Sequence, residues 1–200
     1  MKFRSIAVLA VAALLSSCTS RGINLIPTAD FTAIVSPGVG FFIKTEATTP
    51  PTQTIVLIAP SIQFQALAGS IGGVVTEYTV RYLDQSNNPI QVNGQTVTGF
   101  TEGFGISVEP GRSCKAGVGY ACPIIGSENL VYVPGPITEG KPHRLITGEV
   151  AEAYLTERAR AGGDPTNWKA EITFKVVDDN GASRQFIKVM NVQYPLENTN

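Results

Sequence analysis

Nine residues in the last quarter of the chain, Trp168 to Val176, alternate in polarity without a break. Trp168, Ala170, Ile172, Phe174 and Val176 fall on one side, and Lys169, Glu171, Thr173 and Lys175 on the other. Side chains leave a strand with period two, so this stretch predicts a strand with one face in a core and one in solvent. The chain then turns at Asp178-Asp179-Asn180-Gly181 and returns through Phe186 to Val192. Asn-Gly suits the positive φ angles of a tight hairpin turn. A hairpin of this kind needs a second apolar layer to cover it.

The rest of the chain offers that layer in short pieces. From Asp30 onward, apolar runs end at strong breakers: Phe31 to Val35 at Ser36-Pro37-Gly38, and Val39 to Lys44 before Thr48-Thr49-Pro50-Pro51. Thr54 to Ala59 stops at Pro60, and Ile62 to Leu67 at Ala68-Gly69-Ser70. These are strand lengths with strand composition. Val74 to Tyr82 alternates too. The reading puts Val74, Thr76, Tyr78, Val80 and Tyr82 on one face, and Glu77, Thr79 and Arg81 on the other. Turns follow at Asp84 to Pro89 and at Asn93-Gly94, with further runs at Gly103 to Glu109 and Leu130 to Val133. One stretch breaks the pattern. In Glu149 to Ala161, Val150, Ala153 and Tyr154 fit helical spacing and Gly162-Gly163 supplies a stop, although Val150, Glu152 and Tyr154 also alternate. A short helix is expected there.

Charged residues make up 16% of the chain, below the usual ~25%, while glycine and proline number 20 and 13. That balance favours an all-β protein. The net charge is −1, and basic residues are scattered singly apart from Arg158 and Arg160. This excludes the basic stripe that nucleic-acid binding needs. No fixed-period repeat argues for a solenoid or propeller.

The first residues form a separate unit. Lys2 and Arg4 precede an apolar run of ten residues, Ile6 to Leu15, which is the layout of a secretory signal peptide. The run is too short to span a bilayer, which takes ~20 residues. It ends in Leu15-Ser16-Ser17-Cys18. That ending resembles the lipobox of bacterial lipoproteins: an apolar residue, two small residues, then cysteine. The resemblance covers the first 18 residues. It implies cleavage after Ser17, lipidation of Cys18, and a protein held in the cell envelope by acyl chains, more than one of which is needed for firm anchoring. Thr19 in place of aspartate after the cysteine implies the outer membrane in organisms that have two. The expected organisation is residues 1–17 as signal peptide, 18–29 as lipidated cysteine and tether, 30–195 as the β-domain and 196–200 as a tail.

Beyond Val74 the strands resemble those of immunoglobulin and fibronectin-type domains in architecture. The expected fold is therefore an immunoglobulin-like antiparallel β-sandwich with extra N-terminal strands and one short helix. The inter-sheet cysteine pair of true immunoglobulin domains is absent, because Cys114 and Cys122 lie too close together in sequence. In an oxidising compartment those two are expected to form a local disulfide instead.

His143, in Gly140-Lys141-Pro142-His143, is the only histidine, and its turn-like context predicts a surface loop residue. With Cys114 and Cys122 it falls short of four zinc ligands, and no Gly-x-Ser-x-Gly elbow accompanies it. Gly69, Gly72 and Gly73 lack the Gly-Lys-Ser/Thr ending of a phosphate loop and are read as turn glycines. Asp178, Asp179 and Asn180 offer oxygens to Ca²⁺, but a hairpin turn uses the same residues and the calcium-loop spacing is missing. Phe41, Phe42, Phe100 and Phe104 could present a partner or glycan surface, with one of each pair in the core. No catalytic residue, metal or cofactor is assigned. The expected function is a non-enzymatic, lipid-anchored envelope protein that meets another envelope protein through loops and an uncovered sheet edge. The alternative is a binding module for a sugar or small ligand.

Overall fold

The computed structural model describes residues 28–114, 130–164 and 167–195. The leader (1–17), Cys18 with most of the tether, Cys122 and the 196–200 tail lie outside the described residues. The domain is mostly β, with thirteen strands and one helix among the described residues. Four N-terminal strands, β1 (Phe31–Ser36), β2 (Val39–Glu46), β3 (Thr52–Leu57) and β4 (Ser61–Ala66), precede the long β5 (Gly73–Leu83). Next come the short hairpin β6 (Gln91–Val92) and β7 (Gln95–Thr96), then β8 (Phe100–Val108). β9 (Arg112–Cys114), β10 (Leu130–Tyr132) and β11 (Lys141–Pro142) lead to helix α1 (Gly148–Ala161). β12 (Lys169–Asp178) and β13 (Ser183–Gln193) complete the chain of elements.

The strands form a six-stranded sheet in the order β3-β2-β13-β12-β5-β8 and a three-stranded sheet in the order β1-β4-β11. The two face each other through Phe64 on β4. Its ring meets Phe104 of β8, Phe174 of β12 and Phe186 of β13 edge-on, at centroid distances of 5.4, 5.1 and 6.2 Å. Edge-to-face geometry is the favoured arrangement for such pairs. The alternating residues Trp168, Ala170, Ile172, Phe174 and Val176 are all buried, as their pattern requires.

Two expectations are corrected. The sheet is not wholly antiparallel: β13 runs parallel to β2, paired through Val192↔Val39 and Gln193↔Gly40. The inward row of β5 also shifts by one residue. Thr76 has no partner on β12, where Lys175 pairs with Glu77 and the next residue, Val176, with Val75. This β-bulge reverses the alternation, so Val75 continues the buried row of Tyr78, Val80 and Tyr82 while Val74 faces solvent.

The stretch from residue 148 to 161 is helical, because local signals agree at both ends. Thr147 caps the start, its hydroxyl accepting from the Val150 N–H, and Gly162 takes the left-handed conformation at the stop. Glu149 sits in the first turn and Arg158 and Arg160 in the last, which suits the helix dipole. Val150, Ala151 and Tyr154 are its buried residues. Tyr154 meets Phe41 and Trp168 edge-on and so closes one end of the core.

Candidate functional site

Residues 134–147 tie the two sheets together on the β8 side. They first extend the three-stranded sheet along β4: Gly135 N–H donates to the Ala66 carbonyl and Thr138 N–H to that of Phe64. The Thr138 hydroxyl accepts from Phe64 N–H, and Gln65 donates its side-chain amide to the Gly135 carbonyl. After β11 the chain crosses to the six-stranded sheet and sinks Leu145 and Ile146 fully into the core.

The crossing is pinned by a polar cluster. The Tyr78 hydroxyl, on β5, donates to the Glu102 carboxylate of β8 at 2.5 Å and lies 2.9 Å from the Arg144 carbonyl oxygen. Arg144 returns a charged hydrogen bond to Glu102 at 2.6 Å and lays its guanidinium over the Phe100 ring. The Tyr82 hydroxyl donates to the Leu145 carbonyl. Burial, then the Glu102 hydrogen bond, push the Tyr78 phenol far above its usual value. The Tyr78 hydrogen bond, with help from Arg144, holds Glu102 below the usual carboxylate range. A phenol that resists ionisation and a carboxylate held by two donors are poor proton carriers. The cluster is a clasp.

His143 lies beside it, in the loop after β11 as expected, but half-buried rather than on the surface. Its backbone N–H donates to the Pro60 carbonyl, and its ring packs 4.2 Å from the Phe104 ring and edge-on to Tyr78. Nε2 is buried without a hydrogen-bond partner. Burial lowers the imidazole pKa, against an opposing pull from Glu102.

No group of three His, Cys, Asp or Glu able to hold a metal occurs among the described residues. Asp178 is buried and its carboxylate accepts from Asn180 N–H, Ala182 N–H and Arg184 Nε, so its oxygens organise the hairpin turn. Gly69 takes a positive φ, as a turn glycine does. Gly73 is corrected: it lies within β5, where an added Cβ would come within 2.7 Å of the Val177 carbonyl oxygen. Phe41 and Phe104 are core, and Phe100 lies under Arg144. Between β8 and residues 136–141 runs a cleft of about 310 Å³, lined by Ile106, Ser107, Glu109, Ile137, Thr138 and Lys141 among others, with no aromatic ring. β9 pairs with β10, which sets the Cys114 backbone opposite Leu130; Cys122 lies outside the described residues.

The opposite side of the sheet is built otherwise. β13 pairs with β12 from Ser183 to Asn191, but with β2 only through Val192 and Gln193. β2 starts where β13 ends, so the outer margin of Ser183–Asn191 has no strand beside it among the described residues. On the outer face of this stretch Ile187 and Val189 are 58% and 52% exposed. On the inner face, Phe186, Lys188 and Met190 are half-buried. Sequence reasoning anticipated an uncovered edge without locating it. The available signal was Lys188, a charge at an inward position between Phe186 and Met190.

A scan against protein-family models finds no match to this chain, and a search of curated proteins finds none.

Proposed function

We propose that this is a lipid-anchored, non-enzymatic protein of the cell envelope whose β-domain docks another envelope protein. The observation that carries the docking half is the open margin of β13. Unpaired backbone donors and acceptors beside exposed apolar side chains are what strand addition uses. The anchoring half rests on Leu15-Ser16-Ser17-Cys18 after an apolar run and a basic start. In this reading Cys18 carries the lipid, the outer membrane is the destination where two membranes exist, and Cys114 and Cys122 form a disulfide that stiffens their loop. The two facing layers, with Trp168 buried just before β12, support reading the domain as an immunoglobulin-like sandwich. The alternative, a binding module for a sugar or small ligand, would draw on a cleft of about 440 Å³ lined by Asp84, Asn88, Gln91, Glu157 and Trp168 rather than on the β8 cleft.

In-cell cross-linking of the tagged full chain beside a Cys18→Ala control tests the reading. One recurring neighbour, captured by the anchored chain and lost in the control, is the expected result. Equal labelling with palmitate in both forms, or no recurring neighbour, overturns it.

A further inference from the structure

We infer that the margin of β13 from Ser183 to Asn191 receives an extended strand of a partner polypeptide that carries carboxylates facing Lys188. This rests on the docking function proposed above and names the chemistry of the partner. β2, which would otherwise continue the sheet, reaches only Val192 and Gln193. The space beside Ser183–Asn191 is thus bounded at one end by Val39 and, among the described residues, has no strand along its nine positions. The inner row of this stretch is Arg184, Phe186, Lys188 and Met190; Lys188 stands across from the fully buried Ile172.

The charges of this margin select the occupant. Between Ser183 and Gln193 there are two cations, Arg184 and Lys188, and no carboxylate. Arg184 is engaged by Asp178 at 3.2 Å, while Lys188 has no ion pair among the described residues. A second copy of the chain fits poorly. Any antiparallel self-pairing that keeps the inner faces aligned puts both copies of Arg184 and Lys188 on one row. An inward lysine on an edge strand disfavours self-association for this reason. A strand bearing glutamate or aspartate opposite Lys188 converts the same residue into an attraction, while Ile187 and Val189 gain apolar neighbours on the outer face. Cross-strand pairs of opposite charge are favourable and like pairs are not.

The test uses the full-length protein in detergent with two synthetic nine-residue peptides. Both alternate valine and threonine with a charged residue, glutamate in one and lysine in the other. The glutamate peptide is expected to bind about tenfold more tightly at low salt, with the gap shrinking as salt rises. Amide exchange should slow at alternate positions of Ser183–Asn191 and stay unchanged in β8. Lys188→Glu should invert the preference, and the milder Lys188→Gln should erase it. Equal affinities, protection at β8 instead, or no binding by either peptide overturns the inference. A dimer that protects Ser183–Asn191 without peptide also overturns it and makes a second copy the occupant. A photo-cross-linker in place of Val189 separates the two readings in cells. If the Cys18-dependent neighbour is captured only from other faces, the envelope-docking function stands and the β13 site falls.

Discussion

The strands β8 and β13 flank the same central pair, β5 and β12, and are finished in opposite ways. On the β8 side, residues 134–147 lace the two sheets together, with Leu145 and Ile146 as plugs and the Tyr78–Glu102–Arg144 cluster as the clasp. On the β13 side the described crossings, the β1–β2 and β3–β4 links, join the sheets by way of β2 and β3 and leave Ser183–Asn191 unlaced, with two aliphatic side chains more than half exposed. β8 also lacks a strand along its outer edge among the described residues, so what sets the two sides apart is the crossing segment packed behind β8 and the exposed apolar pair of β13. The difference separates a side spent on stability from a side left for contact.

If that division holds, substitutions on the two sides should differ sharply in effect. The largest expected change comes from Leu145→Ala, which empties a fully buried site and should destabilise by about 2–5 kcal/mol in urea denaturation. Ile187 and Val189 are apolar as well, so a comparable loss from Ile187→Thr would break the contrast.

Tyr78→Phe comes next. It removes one hydroxyl and leaves Glu102 short of a donor, for about 1–3 kcal/mol. The same variant should let the Glu102 carboxyl titrate closer to its ordinary value, measurable by NMR on that side chain. An unchanged titration would mean that the clasp is not formed in solution.

His143 gives a pH signature confined to the laced side. Its folded pKa lies below the unfolded value of 6.5, so the unfolded chain binds the proton more readily. The stability that this group confers is whole above pH 6.5 and declines as pH falls below it, until the folded imidazole also titrates. Glu102 raises and Lys141 lowers its proton affinity, and Arg144 stands beside it in sequence. The stability that Glu102 confers, its carboxyl being held low, is whole above its ordinary value of 4.5 and declines only below it, which leaves the interval between the two to the histidine. Denaturation midpoints should fall across that interval, and His143→Phe should flatten the slope. A variant with the wild-type slope would remove His143 as its source.

The smallest effect belongs to the open side. Val189→Thr and Ile187→Thr should each shift stability by no more than about 0.5 kcal/mol, while weakening capture of the partner.

Much of this was readable in the residues because it is local. Trp168 to Val176 alternates without a bulge, and its burial follows. The helix announces itself through Val150, Ala153 and Tyr154 at helical spacing and the Gly162-Gly163 stop, all within reach of one another along the chain. What escaped depends on distant partners. Val74 and Val75 are equally apolar, and only the unpaired Thr76, seen against β12, decides which one faces inward. His143 follows Pro142 in a turn-like run, yet its surroundings are Phe104 and Tyr78, brought there by β8 and β5. The parallel contact of Val39 with Val192 joins opposite ends of the domain and leaves no periodic trace in either strand.

That last contact also orders events in time. β12 is the strand on which β5 and β13 both depend, and it comes after every other long element except β13 itself. Until it emerges, β5 holds one side empty, and β2 must wait longer still, for the final residues of β13. Pairings this remote make folding slow and leave apolar surface bare meanwhile. The six-stranded sheet of such a chain can close only when nearly all of it has been made.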